Sequence, residues 1–357
     1  MVADGPADLP LNDAQRQATV MALHQTLDHY VSADMAHQLQ ADIHQRLQTG
    51  GYDDIVDGPQ LAETLTVQLQ GLSGDRQLRV HFSPQVLPKL EAKSTPTKAD
   101  LAAEYERSRL RNFDLNRVER LRGNVGYIEL YGFEPPEFVG DALAAAMTLV
   151  AHTQALILDL RHNRGGSPAT VALLCSYLLP AYPPVHLNDL CWRSEGTHQW
   201  WTVPHLPAPR YLEKPVYVLI SKDTFSAAEE CAYNLQVLKR ATILGEHTAG
   251  GANPGQGHRL GDHFWMFVPT GQAINPITGS NWSETGIIPD VKVPAELALL
   301  TAHLGALNRL FETLPEGPQL RETQQSLMLV ERELNQRRAE LISQLKRPAE
   351  SPDVGEE

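Results

Sequence analysis

Cysteine is scarce: Cys175, Cys191 and Cys231 are the only three among 357 residues. An odd number with no close pair gives neither a disulfide framework nor the spacing of a zinc site. Positive charge is in deficit as well, with 30 Lys and Arg against 43 Asp and Glu and a net charge of -13. That balance argues against nucleic acid or another polyanion as partner. No apolar run nears the ~20 residues that a bilayer-spanning helix needs. Met1 to Gln15 has no basic n-region and no apolar h-region, so no leader is expected and a cytoplasmic location is, although a mature exported chain would read the same way. There is no internal repeat. What is present, 42% hydrophobic and 20% charged residues, is an ordinary globular composition in a chain long enough for a large core.

The first part reads as helices. Val20, Leu23, Leu27 and Tyr30 recur at helical spacing. Ser32 is placed to cap a second helix carrying Met35, Leu39, Ile43 and Leu47, stopped by Gly50-Gly51. Asp57 caps a third, with Pro59 in its first turn, Leu61, Leu65, Leu69 and Leu72 on one face, and Gly74 at its end. Three such stripes predict a small bundle. Residues 76–83 read as extended, and Ala92 to Lys98 as a loop. From Gly123 onward short apolar runs alternate with helical segments: 125–128, 155–160, 216–220 and 241–244 as strands, with 138–151, 169–179 and 227–238 between them. That alternation predicts an α/β layer with parallel pairing. Residues 264–268 and 290–293 are late strands, and residues 182–210, holding Trp192, Trp200 and Trp201, read as an insertion over one face. Leu327, Val330, Leu334, Leu341 and Leu345 form an amphipathic stripe free to pack on the core or on a second subunit.

Four stretches carry chemistry. In Thr224-Phe-Ser226-Ala-Ala-Glu229 a serine follows a buried strand and opens a helix. There it sits among unpaired N–H groups at the positive end of the helix dipole, where an oxyanion would be stabilised. The same residues also spell the capping box S-x-x-E, which needs no catalysis. In Asp159-Leu-Arg161-His162-Asn-Arg-Gly165-Gly166 the paired glycines let backbone N–H groups approach a ligand, or merely turn the chain from strand to helix. Gly245 to Gly255 is too rich in glycine for regular structure and lacks the following helix of a dinucleotide fingerprint. Glu284, in the stretch Asn281 to Asp290, reads by itself as a loop acid.

In order, NVGYIEL, ILDLRHNRGG, TFSAAEE, GEHTAGGANPG and ETGIIPD resemble the peptidase domain of the serine peptidase superfamily that contains tail-specific proteases, the tricorn core and the repeats of interphotoreceptor retinoid-binding protein. LAETLTVQLQGLSGDRQLRV, at 61–80, is similar to the lead-in of the retinoid-binding-protein-like branch. The resemblance covers roughly residues 12 to 300. It implies a crotonase/ClpP-like α/β core at 123–300, behind an N-terminal helical subdomain at 1–85 and a connector at 86–122, with C-terminal helices at 301–347 and a disordered tail at 348–357. It implies Ser226 as nucleophile, the Ala227 N–H and a glycine of Gly165-Gly166 as oxyanion donors, and Glu284 as the acid that orients a base. It implies peptide or protein substrates, no metal and no cofactor. The processing lysine of the family falls on Gly251, and the base histidine of the tricorn-like branch falls on Gln77, which takes up no proton near neutral pH. His81, four residues on, and His247 are the candidate replacements; His162 is a further loop histidine. Two functions follow: a serine peptidase working through an acyl-enzyme, or a catalytically impaired relative that binds an apolar ligand or peptide.

Overall fold

The computed structural model describes residues 10–88, 97–283 and 285–345. Most of the loop expected over 92–98, the acidic tail and Glu284 therefore lie outside the described residues.

The N-terminal helices begin and end where short-range chemistry dictates. Asn12 accepts from the Gln15 N–H to start α1 (Asp13–Thr26), Ser32 from Met35 to start α2 (Ala33–Gln48), and Asp57 from Gln60 to start α3 (Gly58–Ser73). Their inner faces bury Val20, Leu23, Leu39, Ile43, Leu61, Leu65 and Leu69. The three helices do not form a closed bundle. Their core is completed by β1 (Arg79–Phe82) and by Leu260, Phe264, Met266 and Val268, which arrive from far along the chain. The stretch expected as extended at 76–83 holds β1; what the local pattern does not carry is its pairing with the strand Phe264–Pro269, which brings those later residues into the helical core.

The segment expected as a connector also has structure. It holds α4 (Lys98–Leu110) and β2 (Leu115–Leu121), and β2 pairs antiparallel with β3 (Val125–Leu130). Then come α5 (Pro136–Val150), β4 (Ala155–Asp159) and α6 (Pro168–Leu178). The tryptophan-rich insertion is a hairpin of β5 (His186–Trp192) and β6 (Gly196–Trp201). After it come β7 (Val216–Ile220), α7 (Ala227–Val237) and β8 (Thr242–Gly245). Three antiparallel strands follow, β9 (Gly255–Arg259), β10 (Phe264–Pro269) and β11 (Gly271–Ile274), before the short β12 (Val291–Lys292). The chain closes with α8 (Ala295–Thr313) and α9 (Pro318–Leu345).

Strands are ordered β12-β8-β7-β4-β3-β2 in the central sheet, parallel except at the β2 edge; β1-β10-β9 and β11-β5-β6 make two smaller sheets. The parallel run is buried on both faces, by α5, α6 and α7 on one side and α8 on the other, which is why β3, β4 and β7 read as unbroken apolar runs. The stripe of α9 packs on this molecule, with Val330 and Leu334 buried. Among the described residues no helix is long and apolar enough to cross a membrane.

One core residue is out of place energetically. Glu230 on α7 is 3% exposed, and among the described residues its Oε1 has no partner and it has no cation. Asn188 on β5, which approaches it, is fully buried and equally unpartnered. Burial pushes the Glu230 carboxyl up to about 8. Between the ordinary glutamate value and about 8 the native state holds a proton that the unfolded chain has lost, so stability falls as pH rises through that window and levels off above it. Glu230→Gln, which cannot ionise, is therefore expected to match wild type near pH 4 and to exceed it by a few kcal/mol at pH 8; urea melts across pH 4–9 measure the divergence. Met266→Ala is expected to cost about 2–5 kcal/mol in the same melts, because Met266 fills the N-terminal core despite its place in the sequence.

Candidate active site

Ser226 is the N-cap of α7, with φ 55° and ψ -124°. This is a sparsely populated conformation for a residue with a Cβ, and it persists only where the surroundings over-determine it. The strand β7 delivers the chain to this point through a tightly bonded turn. Thr224 Oγ1 donates to Leu160 O at 2.8 Å and accepts from Ser221 N at 2.9 Å, and Ser221 Oγ donates to Arg161 O. Phe225 N donates to Asn163 O at 3.1 Å. The turn before the serine is thus sewn to the turn after β4.

That second turn is the Gly165-Gly166 stretch. Asn163 is fully buried, and its Oδ1 accepts from the Gly165 N–H at 2.8 Å. Gly165 lies against the serine: a Cβ there would stand 2.8 Å from Ser226 Cβ and 3.0 Å from Ala227 N, at a φ of +100°. Only glycine fits. With the Gly165 N–H already taken by Asn163, the N–H groups of Gly166 and Ala227 are the ones that, among the described residues, have no acceptor. Behind the turn, Asp159 is 1% exposed and is held by Arg161 Nε and Nη2 and by the Tyr127 hydroxyl at 2.8 Å. Asp159 and Arg161 thus bond to each other as an anchor, and Arg161 Nη1 reaches Ala295 O.

The S-x-x-E pair does more than cap a helix. Glu229 is completely buried, and its carboxylate accepts from four donors: Ser226 N at 2.9 Å, Gly250 N and Gly251 N at 2.8 Å each, and Thr248 Oγ1. Thr248 Oγ1 in turn accepts from Ile287 N at 2.7 Å. One carboxylate thereby joins the serine to the glycine-rich loop and, through Thr248, to the segment at Ile287. Gly251, on which the resemblance places the processing lysine, packs against the partly exposed Phe225 ring, so a side chain there requires that ring to move.

The candidate bases fall in different places. Gln77 Nε2 donates to Asn253 O at 3.2 Å in the glycine-rich loop, and among the described residues its buried Oε1 has no partner. Asn281 Nδ2 reaches Asn253 Oδ1 at 3.1 Å, so Gln77 and the segment before Glu284 meet on one residue. His81 is not with them. It stacks on Trp265 with ring centroids 4.3 Å apart, and its register partner Trp265 pairs with Arg259, at the opposite end of the sheet from Gly255, where the glycine-rich loop enters. Burial, and then the charge of Arg79, push the His81 imidazole down. His247 is exposed on the glycine-rich loop, beside Thr248. His162 is exposed and edge-on to Tyr131. Asn163, Thr248 and the linking role of Glu229 were not singled out from the sequence. The Asn-x-Gly spacing at 163–165 was the readable signal for the first; the other two depend on contacts about twenty residues apart.

Residues 124–293 match the model of Peptidase family S41, and residues 11–109 match the N-terminal domain of Peptidase_S41 in eukaryotic IRBP. A carboxyl-terminal-processing protease of Synechocystis sp. is 32% identical over 127 residues, 36% of this chain and 28% of that protein. Carboxyl-terminal-processing peptidase 2, chloroplastic, of Arabidopsis thaliana is 28% identical over 172 residues, 48% of this chain and 32% of that protein. The chain thus spans about a third of the length of these relatives. A crystal structure of a candidate peptidase from Parabacteroides merdae superposes with a TM-score of 0.57 at 16% identity, covering 84% of this chain and 99% of that one, and shares the fold. With the two models spanning about three-quarters of its length, the chain belongs to peptidase family S41.

Proposed function

We propose that this protein is a serine peptidase that cleaves peptides or protein termini through an acyl-enzyme at Ser226. The observation that carries the reading is the close contact of Gly165 with the Ser226–Ala227 peptide, beside which two backbone N–H groups, on Gly166 and Ala227, have no acceptor among the described residues. In this reading Ser226 Oγ gives its proton to a general base and attacks the scissile carbonyl, the new oxyanion accepts from those two N–H groups, the base passes the proton to the leaving amine, and water deprotonated by the same base then releases the acyl group. Of the histidines considered, His247 is on the loop bonded through Glu229 to the nucleophile helix, whereas His81 is held away by Trp265. We assign His247 the general base and Glu284 the acid that orients it. Gln77 occupies the position of a base it cannot serve, and that substitution favours the second reading, a relative that binds an apolar ligand or peptide. Exposed Met328, Leu329 and Ile342 on α9 support a contact between subunits.

A fluorophosphonate probe separates the two. Wild type is expected to label and Ser226→Ala is not, His247→Ala is expected to slow labelling by about 10²–10⁴-fold, and Gln77→His to leave it unchanged. A folded wild type that stays unlabelled until Gln77→His is introduced supports the binding reading.

A further inference from the structure

The amino ends of β7 and β8 border a cavity of about 500 Å³ beside the carboxyl end of α7. Ser226 stands at the other end of that helix, roughly 16 Å away at the rise of an α-helix. Four cations line the cavity: Lys214, Lys239, Arg240 and Arg309. Among the described residues none of them has a carboxylate within ion-pair distance. In a chain with 13 more acids than bases, four unpaired cations around one cavity run against the composition.

Two of the four also have structural bonds. Lys214 Nζ donates to Ala151 O at 2.8 Å, where α5 ends, and Arg240 donates to Leu178 O at 2.6 Å, where α6 ends. Cations at helix carboxyl ends offset the dipole, and these bonds hold both side chains in place. Lys239 and Arg309 are exposed, and their side chains make no hydrogen bond among the described residues, which leaves both free to reach a ligand in the cavity. Of the acids on the wall, Asp290 is occupied: Oδ1 accepts from Gln236 and Oδ2 from Ile243 N. Glu213 is exposed. Burial pushes both Lys214 and Arg240 below their ordinary values; Tyr211 and Glu213 partly offset this for Arg240, whereas among the described residues the Lys214 charge has lost hydration with no carboxylate in return. An anion in the cavity would supply that return.

We propose that this cavity binds a small, multiply charged anion of the phosphate-ester or polyphosphate class, held by Lys214, Lys239, Arg240 and Arg309. Its volume suits such a ligand, and the negative net charge of the chain repels an extended polyanion more than a small anion held at this half-open cavity. The site does not depend on the activity assigned to Ser226. Calorimetric titration of the full chain with inorganic pyrophosphate at low salt tests it. One saturable site is expected, weakened at least tenfold in Lys239→Glu/Arg309→Glu, with Arg332→Glu/Arg338→Glu on the exposed face of α9 unchanged. Absence of saturable binding, equal affinity in the cavity variant, or equal weakening in both variants would overturn the proposal; circular dichroism of each variant confirms that folded protein was titrated.

Discussion

The Glu229 carboxylate holds the site together. A carboxylate taken fully out of water is costly unless its lone pairs are satisfied, and here four donors, one from the start of α7 and three from the glycine-rich loop, satisfy them. The same bonds fix the serine. Ser226 donates its N–H to a group that is itself clamped by Gly250, Gly251 and Thr248, so its left-handed backbone has nowhere to relax. Loss of the charge at Glu229 would strand four donors and free the glycine-rich loop from the nucleophile helix.

The other side of the site is fixed independently. Asn163, Thr224 and Ser221 bond the turn after β4 to the turn after β7, and the two strands are neighbours in the parallel sheet. Parallel strands end together, so two turns distant in sequence arrive at the same edge. Asn163 then decides which donor faces outward: it takes the Gly165 N–H and leaves that of Gly166. The glycines thus have separate uses, Gly165 for close packing on Ser226 and Gly166 for its free N–H.

What the sequence revealed was local, and what it hid was long-range. Ser32, Asp57 and Gly74 bound their helices because a cap is decided within four residues. The buried strands β3, β4 and β7 stood out because both faces are covered. By contrast β2, β5, β6 and β9 escaped notice; each is an edge strand or lies next to one, with mixed burial, and only its partner defines it. Glu229 was legible as a capping residue and illegible as a link, since Gly250 and Gly251 lie more than twenty residues on. His81 lies four residues beyond Gln77 and could replace it only through a register shift or a bulge. The register of β1 against β10, which no local pattern announces, carries it to the far end of the sheet.

A crystal structure of the protein phosphonylated at Ser226 addresses the geometry at the heart of the site. The phosphonyl oxygen is expected about 2.7–3.1 Å from both the Ala227 and the Gly166 nitrogens, with Glu229 still bound to the Ser226 N–H. An adduct whose oxygen points to solvent, or is held by neither nitrogen, would contradict the reading of these two turns as an oxyanion hole.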